Sequence, residues 1–176
     1  LRKLDYPLLS QRSEQTIFTM AEEKYGREFE DYDNSAKVYD TFRQAPGKDQ
    51  ILATLKSACP GEGKGKVLEV GCGTGNYMVH FVDHFESLCG LDLNRGMLEQ
   101  CTKKLGDKCE LKVGPAQSLP WEDNTFDAVY GCQTIHHYGE DANRIVFFQE
   151  VARVLKPGGK FVLNYTEPSQ LPFNWT

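Results

Sequence analysis

Three glycines at alternate positions, Gly71, Gly73 and Gly75, stand directly after the apolar residues Val67, Leu68 and Val70. A turn built this way lets backbone approach a ligand closely. Asp92 lies 21 positions after Gly71, where its carboxylate can accept two hydroxyls through charge-assisted hydrogen bonds. Glu69 sits inside the apolar run itself, beside the turn. An acidic residue there repels a pyrophosphate and favours a ligand that carries positive charge. His136 and His137 are adjacent, and an imidazole that titrates near neutrality can take a proton from a nucleophile. No Ser-His-Asp arrangement and no metal-ligand cluster competes with these residues.

Each has a plainer reading. Glycine turns occur without ligands, and Asp92 can equally cap a helix ahead of Asn94. The histidines can be structural. Asp83 and His84 fall on an amphipathic helix and read as surface, as do Lys103 and Lys104 near a helix end. Cys132 ends an apolar run, where it lends backbone to a ligand rather than acting as a nucleophile.

The elements that position these residues alternate along the chain. Val67–Val70 reads as a strand, and Asn76 opens a helix with Met78, Val79, Val82 and Phe85 on one face. Ser87–Asp92 is a second strand, followed by a helix facing inward with Met97, Leu98, Cys101 and Leu105. Cys109–Gly114 and Phe126–Cys132 are the third and fourth strands. A helix over Asp141–Leu155 then turns Ile145, Phe148, Val151 and Leu155 inward. Pro157, Gly158 and Gly159 stop it, and Lys160–Tyr165 is the fifth strand. Three helices precede the glycines. Ser13 caps the first, Asp33 caps the second, and Pro46 opens the third, with Ile51, Leu52, Leu55 and Cys59 inward. The pattern predicts an α/β fold, a doubly wound, mostly parallel sheet with an N-terminal helical cap. Residues 1–60 are expected to form the cap and residues 61–176 the core.

The 176 residues suffice for one domain with a real core. Net charge is −5, which argues against a nucleic-acid partner. No apolar run approaches the roughly 20 residues needed to span a bilayer. The six cysteines form no CxxC pair and read as free thiols in a reducing compartment, hence a cytoplasmic location.

A carboxylate 20 or so residues past a glycine turn suits the ribose of either a nicotinamide or an S-adenosylmethionine ligand. The spacing here is Gly71-Cys-Gly73-Thr-Gly75, one residue shorter than the dinucleotide fingerprint, which disfavours the nicotinamide. Four stretches in order, VLEVGCGTG, GLDLNRGMLEQC, SLPWEDNTFDAVYGCQTIHHY and FFQEVARVLKPGGKFVLNY, resemble the class I S-adenosylmethionine-dependent methyltransferases, small-molecule type. The resemblance covers roughly residues 33–166. It implies the cofactor S-adenosylmethionine, a small-molecule acceptor and a Rossmann-like fold.

It also implies roles. The glycine turn would pass the methionine end of the cofactor, and Asp92 would hold the ribose. Leu93, Met97, Ala116 and Gln117 would surround the adenine, with Cys132 contributing backbone. Pro115 stands where relatives often carry an acidic residue, so Gln117 is left to meet the adenine amino group. Tyr39 and Arg43, in AKVYDTFR, resemble a lid helix; a snorkelling Arg on a plain cap helix is the alternative. His136, ahead of His137, is the candidate base, although methyl transfer often needs only alignment. A cofactor-binding domain or fragment without turnover is the rival function. Relatives add two strands after the fifth, and here these two are expected to be missing, with Pro168 and Pro172 keeping the tail out of a ladder. Leu1 and the abrupt end are expected to mark a piece of a longer protein. The chain is expected to self-associate through the uncovered fifth-strand edge.

Overall fold

The computed structural model describes residues 45–61, 64–138 and 141–165. The helices expected from Ser13 and Asp33, with Tyr39 and Arg43, lie outside the described residues, as do Pro168 and Pro172.

Side-chain alternation along β1 (Lys66–Val70) sets the architecture. Val67 joins an apolar cluster with Ile51, Leu55, Phe81, Leu88 and Tyr130. Leu68 and Val70 join a second, with Leu91, Phe126, Val129, Phe147 and Val154. A strand apolar on both faces needs cover on both. Helices α1 (Lys48–Ala58), α2 (Met78–Phe81) and α3 (Arg95–Leu105) supply one layer. Helix α4 (Asp141–Val154) supplies the other. Among the described residues, β1, β2 (Ser87–Asp92), β3 (Cys109–Val113), β4 (Phe126–Cys132) and β5 (Leu155–Asn164) form one sheet in the order β3-β2-β1-β4-β5. Every pairing is parallel. Strand order reverses between β1 and β4, so a crevice at their carboxyl ends is where a ligand belongs. The glycine turn follows β1 directly.

Several boundaries differ from expectation. Gly47 takes a left-handed conformation, φ 74°, and precedes α1, so Pro46 lies outside the helix rather than in its first turn. Ile51 and Leu55 are buried, whereas Leu52 and Cys59 are only half-buried. The helix after the glycines is four residues long and passes into a 3-10 turn, Val82–His84, which leaves Val79 44% exposed. Helix α4 ends at Val154. Its buried stripe is Phe147, Val151 and Val154, while Ile145 and Phe148 are 57% and 42% exposed. Two adjacent phenylalanines cannot both face inward on a helix. Phe147 takes the buried place against Tyr138 and Phe161. The third strand stops at Val113. The fifth begins at Leu155, pairing with Phe126, and its register shifts so that Lys160 meets Ala128. Gly158, at φ 82°, lies in the looped-out part, so Pro157-Gly158-Gly159 is a bulge within the strand rather than a break before it.

All six cysteines are free. Among the described residues no helix is long and apolar enough to cross a membrane, and no cluster suits a metal ion.

Candidate functional site

The glycine turn is pinned at its base, where the amides of Gly71 and Cys72 both donate to the Leu91 carbonyl at 2.7 and 3.0 Å. All three glycines have positive φ, 74°, 52° and 78°. Their surroundings differ. A Cβ on Gly71 would collide with the Thr134 side chain, and one on Gly75 would stand 2.6 Å from Cys101 Sγ. At Gly73 there is nothing within 4 Å. Two of the glycines are therefore required by packing of the protein on itself, and Gly73 alone faces open space.

Asp92 ends β2 beside that space. Its Oδ2 accepts the Gly73 amide at 2.7 Å and its Oδ1 accepts the Asn94 amide at 2.9 Å. A carboxylate has about four lone-pair sites, so acceptor capacity remains beside these amides. Asn94 is the cap of α3, its Oδ1 accepting Met97 N at 2.8 Å. Asp92 thus shapes the turn rather than capping the helix. Burial pushes its carboxyl above the ordinary range, against the pull of the Asn94, Gly73 and Leu93 amides.

Glu69 is 2% exposed and accepts the Tyr130 hydroxyl at 2.9 Å. Burial holds its carboxyl well above the usual range, and the Tyr130 bond offsets this only in part.

On the β2 side, Met97 is buried and Leu93 half-buried. Pro115, Ala116 and Gln117 follow β3 and are all buried. Gln117 Nε2 donates to the Tyr138 carbonyl at 3.4 Å, which leaves its oxygen as the acceptor. This loop is clasped from α4. Arg153 donates to the carbonyls of Leu119 and Trp121 at 2.9 and 2.8 Å and to Asp123 at 2.9 Å. It also grips both oxygens of Glu150 at 2.7 Å, and Glu150 accepts Leu119 N at 2.8 Å. Arg153→Ala should cost about 2–3 kcal/mol, since a charged hydrogen-bond donor to several acceptors is lost. Arg153→Lys should recover little, lacking the planar fork. Urea denaturation of the unliganded chain checks both.

Beyond β4, Cys132 is buried and its thiol is pushed up by that burial, which removes it as a nucleophile. His136 and His137 occupy a 3-10 turn, Ile135–His137, with ring centroids 3.9 Å apart. His136 is exposed and His137 half-buried. Four residues of this region were not singled out from sequence. Tyr77 and Asn164 meet at the end of β5: Asn164 Nδ2 donates to Tyr77 Oη at 3.1 Å and to the Pro46 carbonyl at 2.9 Å. Thr134 and Tyr138, which flank the histidine turn, are both buried. Asn164 carried a usable signal, a polar residue closing an apolar strand at the ligand-facing end of a parallel sheet. Tyr138 carried none, because its partners Val70 and Gln117 are 68 and 21 positions away.

Residues 68–163 match the methyltransferase domain family. The chain belongs to this family. The chain is 35% identical over 135 residues to phthiotriol/phenolphthiotriol dimycocerosates methyltransferase 1 of Mycobacterium ulcerans, covering 74% of this chain and 48% of that protein. It is 40% identical over 122 residues to a fatty-acid O-methyltransferase of Mycolicibacterium smegmatis, covering 68% and 43%. The crystal structure of the PH0226 protein from Pyrococcus horikoshii superposes with a TM-score of 0.61 at 30% identity, covering 81% and 69%. The chain spans about half the length of the curated relatives it matches.

Proposed function

We propose that the chain binds S-adenosylmethionine over the Gly71–Gly75 turn and passes its methyl group to a small apolar or amphipathic acceptor. The observation that carries this reading is Gly73, the one glycine of the turn with open space above it, its amide held by Asp92 beside the buried acid Glu69. When bound, the cofactor supplies a methyl group on a sulfonium, whose leaving group is a neutral thioether. Asp92 receives ribose hydroxyls on the acceptor capacity that the backbone amides leave. Glu69 answers the positive charge of the methionine end. Met97, Leu93 and Ala116 flank the adenine, and the Gln117 oxygen accepts from its amino group. Cys132 offers backbone at the end of β4. His136 takes the proton of an acceptor that must lose one, and proximity supplies much of the remaining rate. Residues 61–176 serve as the cofactor core, with α1 of the preceding cap packed on its sheet through Ile51 and Leu55.

The named acceptors of the two curated relatives, a fatty acid and a phthiotriol lipid, support an amphipathic substrate. The net charge of −5 supports a small molecule over a nucleic acid, and the free cysteines support the cytoplasm. The exposed Ile145 and Phe148, the latter against Phe161 of β5, the edge strand among the described residues, support self-association of the isolated chain.

Calorimetry should find binding of S-adenosylmethionine and S-adenosylhomocysteine and none of NAD. Asp92→Ala should weaken that binding by about 1.5–3 kcal/mol, the scale of a charged hydrogen bond. Methyl-labelled cofactor incubated with cell extract should place label in the lipid fraction. Label in RNA would overturn the acceptor class, and binding without any labelled product would leave a cofactor-binding domain.

A further inference from the structure

Tyr138 touches three segments that would each face the cofactor. Its hydroxyl accepts from Thr134 Oγ1 at 2.9 Å and donates to the carbonyl of Val70, the last residue of β1, at 3.3 Å. Its own carbonyl accepts from Gln117 Nε2 at 3.4 Å. The ring is fixed against Phe147, centroids 4.6 Å apart, and the residue is 7% exposed. The phenol therefore joins the start of the glycine turn to the turn that carries His136 and His137, and the Tyr138 carbonyl adds the loop after β3.

Thr134 completes the linkage from the other side. Its side chain fills the place beside Gly71 where a Cβ would otherwise stand. There is no slack at that contact, and close-packed groups pass a displacement on rather than absorb it. A shift of Gly71 moves Thr134, and the hydrogen bond from Thr134 carries it to Tyr138, immediately after the histidine pair.

We propose that Tyr138 is a positioning residue, which with Thr134 couples occupancy of the glycine turn to the placement of His136 and His137. The proposal rests on the cofactor reading above. It makes the proton-handling end of the site respond to the cofactor before any acceptor binds. A tyrosine that merely filled the core would stabilise the chain equally with and without ligand and would leave the histidines indifferent to it.

The ring carbon-proton resonances of the four histidines, recorded with and without saturating S-adenosylhomocysteine, test this directly. In the parent, His136 and His137 should shift, while the exposed His84 should not. Tyr138→Phe keeps the ring and its contact with Phe147 but deletes the hydroxyl. It should weaken S-adenosylhomocysteine binding about three- to tenfold, the scale of one hydrogen bond. More tellingly, it should shrink the ligand-induced histidine shifts at saturation. Thr134→Val should do the same, and Thr134→Ser, which retains the hydroxyl, should behave like the parent. Should Tyr138→Phe fail to fold, Thr134→Val decides. Parent-sized shifts in a folded Thr134→Val or Tyr138→Phe protein, with the parent itself binding, would overturn the coupling alone. A parent that binds no S-adenosylhomocysteine would overturn the cofactor reading and the coupling with it.

Discussion

Gly71→Ala should unfold the chain under conditions that Gly73→Ala survives, and Gly73→Ala should be the variant that loses the cofactor. All three glycines of the turn have left-handed backbone, so any alanine there costs about 1–2 kcal/mol from the Cβ clash alone. At Gly71 the new methyl also strikes Thr134, and at Gly75 it meets Cys101 Sγ at 2.6 Å. Overpacking of that kind adds about 1–3 kcal/mol. Gly71→Ala and Gly75→Ala should therefore lower stability by about 2–5 kcal/mol, a large part of what a domain this size possesses. Gly73→Ala adds no contact within the chain. Its methyl occupies the open space where the cofactor would lie, so the same about 1–3 kcal/mol of overpacking falls on binding. Thermal melts without ligand and calorimetry with S-adenosylmethionine separate the two effects. Equal melting temperatures for all three variants, or an unchanged affinity for Gly73→Ala, would reject this division of roles.

The division was not legible in the sequence, which shows three identical residues at equal spacing. What distinguishes them is contributed by Thr134 and Cys101, 63 and 26 positions away from their respective glycines. Strands β2 and β4, by contrast, were readable to the residue. Both are short apolar runs buried on two faces and bounded by turn formers, so pattern and packing agree. Helix α3 was readable for the same reason, its apolar residues falling at Met97, Leu98, Cys101 and Leu105 and nowhere else. Helix α4 was not. Ile145, Val146, Phe147 and Phe148 are four consecutive apolar residues and carry no phase, so only contact with Tyr138 and Phe161 selects which one turns inward. The looped-out part of β5 was hidden too, because Pro-Gly-Gly signals a break equally well before a strand or within it. In the candidate site, Asp92 and Glu69 were identifiable from charge and spacing. Their partners, the Gly73 amide and the Tyr130 hydroxyl, were not, since the sheet brings them together from 19 and 61 residues away.

Glu69→Gln should make the unliganded chain less sensitive to pH and weaken its hold on the cofactor. Burial raises the Glu69 carboxyl, with the neighbouring Cys101 and Asp92 adding in the same direction. Between the ordinary glutamate range and that raised value, the folded chain keeps a proton that the unfolded chain has released. Stability then falls as pH rises across this window, because the native state binds more protons than the unfolded state there. The stabilisation is fully present below the window and is lost above it. Asp92, also raised, adds a smaller slope of the same sign. Gln keeps an oxygen for the Tyr130 hydroxyl but carries no proton to lose. Across denaturation curves collected from acid to neutral pH the parent's stability should therefore decline relative to the variant's, which becomes the more stable of the two at the upper end. Cofactor binding runs the other way. A cation beside Glu69 favours the ionised carboxylate, so the parent should release a proton on binding and gain affinity as pH rises. Its calorimetric heat should vary with the ionisation enthalpy of the buffer. The variant should show no such dependence from this position and bind about 1.5–3 kcal/mol more weakly, the value of a charge-assisted contact. A Glu69→Gln protein with the parent's pH slope and the parent's affinity would show that Glu69 neither holds that proton nor meets the cofactor's charge.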